Sequence, residues 1–146
     1  INNSNLRYKI PRKFFEDLIN EKILNISRRS KYLILHLKRK ILLLHLGMTG
    51  KLLIMREKDN KIFKTSFYYN LNIIQKHNHI LFTLNNGLIL IYNDVRRFGF
   101  FKLYKNKKLN EITFLFKLGI EPLSKNFNTL YFNKFMAKKK RILKVY

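Results

Sequence analysis

Short apolar runs separated by polar turns dominate the chain from about residue 23 to residue 104. The runs KYLILHL and ILLLHLGM stand on either side of a Lys-Arg-Lys turn, so they predict a β-hairpin. The runs HILFTL and LILIY flank Asn85-Asn86-Gly87, and Asn-Gly at this place predicts a second hairpin with a type I′ turn. The runs KLLIM and GFFKLY add two further strands, which makes a β-rich body of six or more strands.

Helical patterns lie on both sides of this body. IPRKFFEDLIN has Pro11 in its first turn and apolar residues at helical spacing, so it predicts a short helix. NEITFLFKLG predicts a second helix with a glycine C-cap at Gly119, and a third is predicted from an N-cap at Ser124 into the basic run AKKKR. Several strands are apolar on both faces, which favours two sheets packed on each other and on helices. The fold class expected is therefore mainly β with flanking helices, arranged as a two-sheet β-sandwich.

Composition and charge narrow the class of partner. The 146 residues are 47% hydrophobic, which suits one folded domain, yet 31 Lys and Arg against 8 Asp and Glu give a net charge of +23. An excess of that size cannot be paired internally, so it indicates a polyanionic partner, with nucleic acid first and an anionic membrane surface second. No apolar run approaches the ~20 residues of a membrane span, and no signal segment opens the chain. We therefore expect a cytoplasmic protein that binds DNA or RNA and no membrane.

Metal and paired-carboxylate chemistry have little support in the sequence. The chain has no cysteine, which excludes disulfides and cysteine-ligated zinc within these residues. His77 and His79 would share one face of a strand, but without a nearby carboxylate no metal site is predicted. Asp94 is the only acidic residue between Lys61 and Asn110, which argues against hydrolysis by a pair of carboxylates.

Five clusters could carry chemistry: SRRSKY (27–32), HLGMTG (45–50), KHNH (76–79), NDVRRFG (93–99) and AKKKR (137–141). Each alone has an ordinary structural explanation, such as a solvated strand edge for the arginines or core filling for Met48. Their order and spacing, with EPLS between the last two, resemble the bacterial formamidopyrimidine-DNA glycosylase family. The resemblance runs from LRYKIP to KKKRILK, and HLGMTG followed by RRFG is its specific part. The sister endonuclease VIII branch shares the fold but generally lacks this combination.

The resemblance implies a bifunctional base-excision repair enzyme acting on damaged double-stranded DNA. Such an enzyme removes 8-oxoguanine and formamidopyrimidine lesions and then cleaves the abasic site by β- and δ-elimination. Its nucleophile is the amine of an N-terminal proline followed by a glutamate, and both would lie upstream of this chain. We expect a bacterial, cytoplasmic, nucleoid-associated protein that is a monomer.

The resemblance also implies a domain division. Residues 1–136 would form the sandwich-type catalytic domain without its first helix, and 137–146 would begin a helix-two-turn-helix domain. The chain starts at Ile1 and not at Met, so a piece of a longer protein is expected. No cofactor is expected in this chain, and one structural zinc is expected in the C-terminal region that would follow it.

Site residues follow from the matching motifs. Lys31 corresponds to the lysine that donates a proton during β-elimination, and His77, Arg96 and Lys139 correspond to DNA-contacting positions. Met48, Arg96 and Phe98 correspond to residues that enter the gap left by the extruded nucleotide. An enzyme that acts on a base within a duplex loses a few kcal/mol of stacking and pairing when it extrudes that base. An apolar wedge and filler offset this loss, while a guanidinium can hydrogen-bond the orphaned base.

Two other hypotheses stay open, and three departures from the family pattern support the first of them. Val95 stands where the family has proline, Asn78 where it has aspartate, and Ile120 where it has proline. These departures allow a non-catalytic DNA-binding remnant of the same family. Composition alone also allows a basic RNA-binding or ribosomal-type protein, which would present stacking aromatics on an exposed sheet face. The RNA-binding hypothesis does not explain the occurrence of HLGMTG together with RRFG.

Overall fold

The computed structural model describes residues 5–63 and 73–137 of the chain. It divides into two compact units between Lys107 and Lys108. The first unit carries the β-sheets, and the described part of the second carries short helices. The domain boundary expected after residue 136 stays a prediction, since residues 138–146 lie outside the described part.

Seven strands of the described residues form two antiparallel sheets, with strand order β1-β2-β3-β7 in one and β4-β6-β5 in the other. The elements of the first unit are α1 (Lys13–Glu16), β1 (Ile23–Arg29), β2 (Tyr32–Leu37), β3 (Lys40–His45), β4 (Lys51–Arg56), a 3₁₀ turn (Gln75–His77), β5 (Asn78–Thr83), β6 (Leu88–Asn93) and β7 (Phe100–Lys105).

The two sheets pack against each other through a shared apolar core. Alternate residues of a strand point to opposite faces, so one face of each sheet contributes to the core. Tyr92 of β6 meets Phe101 of β7 edge-to-face, with ring centroids 4.9 Å apart. The buried cluster comprises Leu6, Ile10, Phe14, Leu35, Leu37, Leu42, Leu44, Ile80, Tyr92 and Phe101. The mainly β, two-sheet fold expected from the sequence is confirmed.

Both predicted hairpins are present, but the turn type predicted for the second is wrong. β2 pairs with β3, and β5 pairs with β6. Between β5 and β6 only Gly87 has a positive φ, of 73°, whereas a type I′ turn needs two such residues. The Leu84 amide donates to the Leu88 carbonyl (2.8 Å), and the Gly87 amide donates to the Leu84 carbonyl (3.2 Å). The loop therefore has three residues, and Gly87 supplies its one left-handed position.

The first helix is shorter than its apolar spacing predicts. It covers Lys13–Glu16 only, and the chain continues through turns to Asn20, which has a φ of 59°. Two tertiary contacts meet this point: the Lys40 ammonium donates to the Asp17 carbonyl, and the Lys105 ammonium lies 2.6 Å from the Asp17 carboxylate. The strands' lysines thus hold the segment in a non-helical path.

The second unit also differs from its predicted helices. Its described elements are a 3₁₀ turn (Leu109–Glu111), α2 (Thr113–Phe116) and α3 (Thr129–Met136). The predicted C-cap at Gly119 is wrong because α2 ends at Phe116. The predicted N-cap at Ser124 is also wrong, because the Asn128 side chain accepts the Tyr131 amide at 2.9 Å and begins α3 there. Among the described residues, no helix has the length and apolar character needed to cross a membrane.

Candidate functional site

Two loops at one end of the strands carry the most specific sequence motif. The methionine loop (residues 46–50, LGMTG) joins β3 to β4, and the arginine loop (residues 94–99, DVRRFG) joins β6 to β7. Since β3 is paired with β7, with His45 opposite Phe100, the two loops leave the same edge of the molecule side by side. The fold therefore brings together motifs that lie about fifty residues apart.

Asp94, the first residue of the arginine loop, is fully buried and binds the two loops together. Its carboxylate accepts hydrogen bonds from the Thr49 hydroxyl (2.5 Å), the Tyr92 hydroxyl (2.8 Å), the Gly99 amide (3.0 Å) and the Arg96 amide (3.3 Å). One buried charge thus satisfies donors from the methionine loop, the arginine loop and β6.

The ionisation states in this network follow from its hydrogen bonds. Burial by itself raises the pKa of Asp94, but the donors from Thr49, Gly99, Tyr92 and Arg96 outweigh burial and hold the pKa below its ordinary value. Burial and the hydrogen bond to Asp94 raise the pKa of the Tyr92 phenol. At neutral pH the carboxylate is therefore charged and the phenol is a donor.

Glycines let the two loops approach backbone to backbone. Gly47 has a φ of +70°, and a Cβ atom placed there would lie 2.8 Å from the Gly99 nitrogen and from the Phe98 carbonyl carbon. A Cβ atom at Gly99 would collide with the Tyr92 hydroxyl. The two motif glycines are thus explained by close approach as well as by backbone conformation.

Met48, Arg96 and Phe98 form one exposed group, here called the insertion cluster. The Met48 side chain is 74% exposed and Phe98 is 44% exposed. An Nη1 of Arg96 lies 3.4 Å from the Met48 sulfur, and the Arg96 Cζ lies 4.4 Å from the centre of the Phe98 ring. The structure therefore places together the three residues that the resemblance assigns to gap insertion. The cluster offers two apolar groups and a planar hydrogen-bond donor to a partner.

The arginine loop contains one unusual backbone conformation. Arg97 has a φ of 58°, in the left-handed region, which a residue with a side chain adopts at a cost of about 1 kcal/mol. The Asp94 network on either side of Arg97 offsets this cost and keeps the loop in one shape.

Lys31 lies exposed in the two-residue turn that joins β1 to β2. Arg29 and Tyr32 are paired across that turn, and Ser30 has a φ of 53°. Lys31 also lines a shallow depression of about 360 Å³, whose other walls include His45 and Gly47. The predicted catalytic lysine and the start of the methionine loop therefore line the same depression.

His45 is a site residue that the sequence reasoning did not single out. Its ring stacks on Phe100 with centroids 5.4 Å apart, and its Nδ1 accepts the Gly47 amide at 3.1 Å. Burial, followed by the positive charges of Arg7 and Lys31, lowers the pKa of His45. A neutral His45 thus supports the methionine loop, and its place as the first residue of HLGMTG was the available signal.

Of the other two predicted DNA-contacting residues, the structure describes His77 but not Lys139. His77 lies in the 3₁₀ turn, and its carbonyl accepts the Asp94 amide at 3.0 Å, so it borders the arginine loop. The expectation that His77 and His79 share a strand face is wrong, because only His79 is in β5, where it is buried and its Nε2 donates to the Asp94 carbonyl at 2.7 Å. Within residues 5–63 and 73–137, no group of three His, Cys, Asp or Glu could hold a metal. Lys139 lies outside the described residues.

Taken together, these features define a two-sheet β protein with an exposed Met-Arg-Phe cluster held by a buried carboxylate. Comparison with known sequences then gives the family. Residues 1–101 match the family described as the formamidopyrimidine-DNA glycosylase N-terminal domain, and the chain belongs to that family.

Individual relatives agree with this assignment. The chain is 41% identical to a formamidopyrimidine-DNA glycosylase of Bartonella tribocorum over 99% of its own length and 50% of the relative's. It is 37% identical to the corresponding Histophilus somni protein over 100% and 48% of the two lengths. The chain therefore spans about half the length of the curated relatives it matches.

Solved structures give the same result. A Lactococcus lactis Fpg in complex with DNA containing an abasic site is similar with a TM-score of 0.73 and 27% identity, over 92% of this chain and 45% of that one. A complex of the Lactococcus lactis protein with DNA containing Fapy-dG has a TM-score of 0.73 and 28% identity, over 92% and 46%.

Proposed function

We propose that the complete protein carrying this chain is a base-excision repair DNA glycosylase for 8-oxoguanine and formamidopyrimidine lesions, which also cleaves the resulting abasic site by β- and δ-elimination. Family membership supports this, as do the DNA complexes of the structural relatives. The single observation that carries the proposal is the insertion cluster, because three residues from two distant motifs meet in one exposed group.

The cluster has the chemistry that base extrusion requires. A flipped nucleotide leaves a hole in the stack and an unpaired partner base, at a cost of a few kcal/mol. Met48 and Phe98 are apolar yet exposed, so burying them in that hole recovers about 1–2 kcal/mol each. The Arg96 guanidinium contacts both side chains and can hydrogen-bond the unpaired base.

The remaining roles complete the proposal. Lys31 would donate a proton during elimination from its place at the depression beside the methionine loop. His77 and Lys139 would contact phosphates, which position a duplex without reading its sequence. The nucleophile would be the N-terminal proline amine of the complete protein, and a structural zinc would lie in its C-terminal region. The complete protein would act as a monomer on DNA in the bacterial cytoplasm.

A comparison of two duplexes tests the role of the cluster. Phe98→Ala and Met48→Ala in the complete protein should each weaken binding to an abasic-site duplex about tenfold, while intact duplex changes less than threefold, because the lost contacts exist only in the extruded state. Phe63→Ala is a matched control, since Arg56 lies 5.4 Å from the centre of that ring in a similar Arg–Phe pair. Equal losses on both duplexes would show that the cluster is not a wedge.

The departures at Asn78 and Val95 favour one alternative, a DNA-binding remnant without catalysis. Both residues fit the fold: Asn78 accepts the Asn93 side-chain amide at 2.7 Å, and Val95 is 55% exposed. An 8-oxoguanine duplex treated with the complete protein, with and without borohydride, separates the two functions. The glycosylase-lyase cleaves the strand in the absence of borohydride and gives a trapped covalent complex in its presence, whereas the remnant gives lesion-selective binding and neither product.

A further inference from the structure

Thr49 occupies a place that neither the motif nor the proposed roles explain. It follows Met48 in the methionine loop, and its hydroxyl makes two hydrogen bonds to the arginine loop. The hydroxyl donates to Asp94 Oδ1 at 2.5 Å and accepts the backbone amide of Arg96 at 3.2 Å. One side chain thus links the residue beside Met48 to the backbone of Arg96 itself.

We propose that Thr49 is a positioning residue, whose hydroxyl fixes Met48 relative to Arg96 and Phe98 so that the three enter a duplex as one preorganised group. This inference rests on the proposed function. A hydroxyl carries one donor and two acceptor lone pairs, so it can serve the carboxylate and the amide at the same time. The hydrogen bond to the charged Asp94 carboxylate is the stronger of the two. It orients the Thr49 hydroxyl so that a lone pair of its oxygen can accept the Arg96 amide.

The exposure of the cluster is the reason why such a link is needed. Side chains that are to be buried in a partner cannot be fixed by burial in their own protein. Met48 is 74% exposed, so its contact with Arg96 is not enforced by surrounding core. Any freedom left between the two loops is lost on binding and weakens affinity, whereas a cluster fixed in advance avoids that loss.

Removal of the hydroxyl should leave the fold largely intact. In a Thr49→Val variant the Arg96 amide keeps Asp94 Oδ1 as an acceptor at 3.3 Å. The carboxylate keeps the Tyr92 hydroxyl and the Gly99 amide. The substitution also conserves the shape of the side chain. Its main consequence is therefore loss of the link between the loops, and not loss of the network.

The test uses the complete protein and two variants, Thr49→Val and Thr49→Ser, with dissociation constants for an abasic-site duplex and an intact duplex at one salt concentration. The measured quantity is the affinity for the abasic-site duplex divided by the affinity for the intact duplex. We expect Thr49→Val to lower this ratio about tenfold, which corresponds to about 1.4 kcal/mol. Thr49→Ser retains the hydroxyl and should stay within threefold of the natural protein. An unchanged ratio in Thr49→Val, or an equal fall in Thr49→Ser, overturns the inference.

A double-mutant cycle with Met48→Ala distinguishes positioning from a general structural effect. If Thr49 acts by placing Met48, then Thr49→Val should lower the affinity ratio little further once the Met48 side chain is gone. If the fold-changes of the two single variants multiply in full in the double variant, the inference is overturned. If Met48→Ala lowers the ratio and Thr49→Val does not, the role of Thr49 alone fails. If the natural protein does not prefer the abasic duplex, the proposed function fails as well.

Discussion

Replacement of Asp94 by asparagine should destabilise the protein, because it removes half of the acceptor capacity of a buried carboxylate. The carboxylate has two oxygens and receives four hydrogen bonds while it is fully buried. An asparagine amide has one oxygen, so only two of the four donors keep a hydrogen bond to residue 94. The best orientation retains the Gly99 amide and the Tyr92 hydroxyl, and the Thr49 hydroxyl then loses its charged partner.

The size of the effect follows from these losses. Two lost hydrogen bonds are worth about 1–1.5 kcal/mol each, and the two that remain change from charged to neutral acceptors at about 0.5 kcal/mol each. A neutral amide costs less to bury than a carboxylate, and this difference offsets part of the free energy lost with the hydrogen bonds. We therefore expect Asp94→Asn to lower the free energy of unfolding by about 3 kcal/mol. An effect of this size is a large fraction of the stability of a typical domain.

Urea denaturation of the complete protein, followed by far-ultraviolet circular dichroism at pH 7, measures this difference. Asp59→Asn is the matched control, because that carboxylate is exposed and lies 3.4 Å from Arg56. The control should change stability by less than about 0.5 kcal/mol. A loss below about 1 kcal/mol for Asp94→Asn would refute the argument that the buried carboxylate holds the two loops.

The pH dependence gives an independent check of the same variant. The pKa of Asp94 in the folded protein lies below its ordinary value of 3.8, so its stabilisation is fully present above that value. The stabilisation is lost as the pH falls through the folded pKa. The difference between the natural protein and Asp94→Asn should therefore be constant above about pH 5 and shrink in stronger acid. A difference that grows with acid would contradict the assignment.

Two further predictions concern the close approach of the loops and the grip on phosphates. Gly47 and Gly87 have φ values of 70° and 73°, but a Cβ atom at Gly47 would lie 2.8 Å from the Gly99 nitrogen and one at Gly87 meets nothing within 4 Å. In urea denaturation Gly87→Ala should cost about 1 kcal/mol and Gly47→Ala at least about 2 kcal/mol more; similar costs would show that the loops tolerate separation. Lys139→Ala, predicted from the sequence alone, should reduce the slope of log affinity against log salt by about one unit on abasic and intact duplexes alike. A loss confined to the abasic duplex would contradict a phosphate contact.

The strands and hairpins could be predicted because their signals are local. Apolar runs of strand length, bounded by Lys-Arg-Lys or Asn-Asn-Gly, gave β2, β3, β5 and β6. The type of the second turn depends on loop length, which the register of the flanking strands decides. Asn-Asn-Gly is compatible with a two-residue type I′ loop and with a three-residue loop. The sequence therefore does not predict the three-residue loop, in which Gly87 has the positive φ.

The helix ends could not be predicted, because tertiary contacts and competing caps decide them. Lys40 and Lys105 meet Asp17 at the end of α1, and both lie on strands far along the chain. Ser124 and Asn128 are both good N-cap types, and the sequence contains no signal that selects one. The structure selects Asn128, through its bond to the Tyr131 amide.

The role of Asp94 does not follow from the sequence for a different reason. An isolated acid in a very basic chain argues against paired-carboxylate catalysis, but the sequence alone does not show that this acid accepts hydrogen bonds from two loops. Its position was informative all the same, since it directly follows a buried strand and precedes a loop with Arg96 and Gly99. A buried carboxylate surrounded by donors is a known way to keep irregular backbone satisfied. Thr49 and Tyr92 could not be linked to it until the fold placed them together.

The exposed side chains of the site are available to a partner, and the buried Asp94 holds the backbone that carries them. Met48 and Phe98 can stabilise a partner complex only if they remain uncovered in the free protein, so their own burial contributes little to the fold. The orientation of both must then come from the backbone that carries them, and backbone in loops without a core is held best by directional hydrogen bonds. A buried carboxylate meets this need, since it accepts several donors at once and each bond is strengthened by charge. Asp94 is the only acid in a long basic stretch, and its carboxylate is buried and hydrogen-bonded. It can therefore fix the cluster without forming an ion pair with the positively charged side chains on the surface.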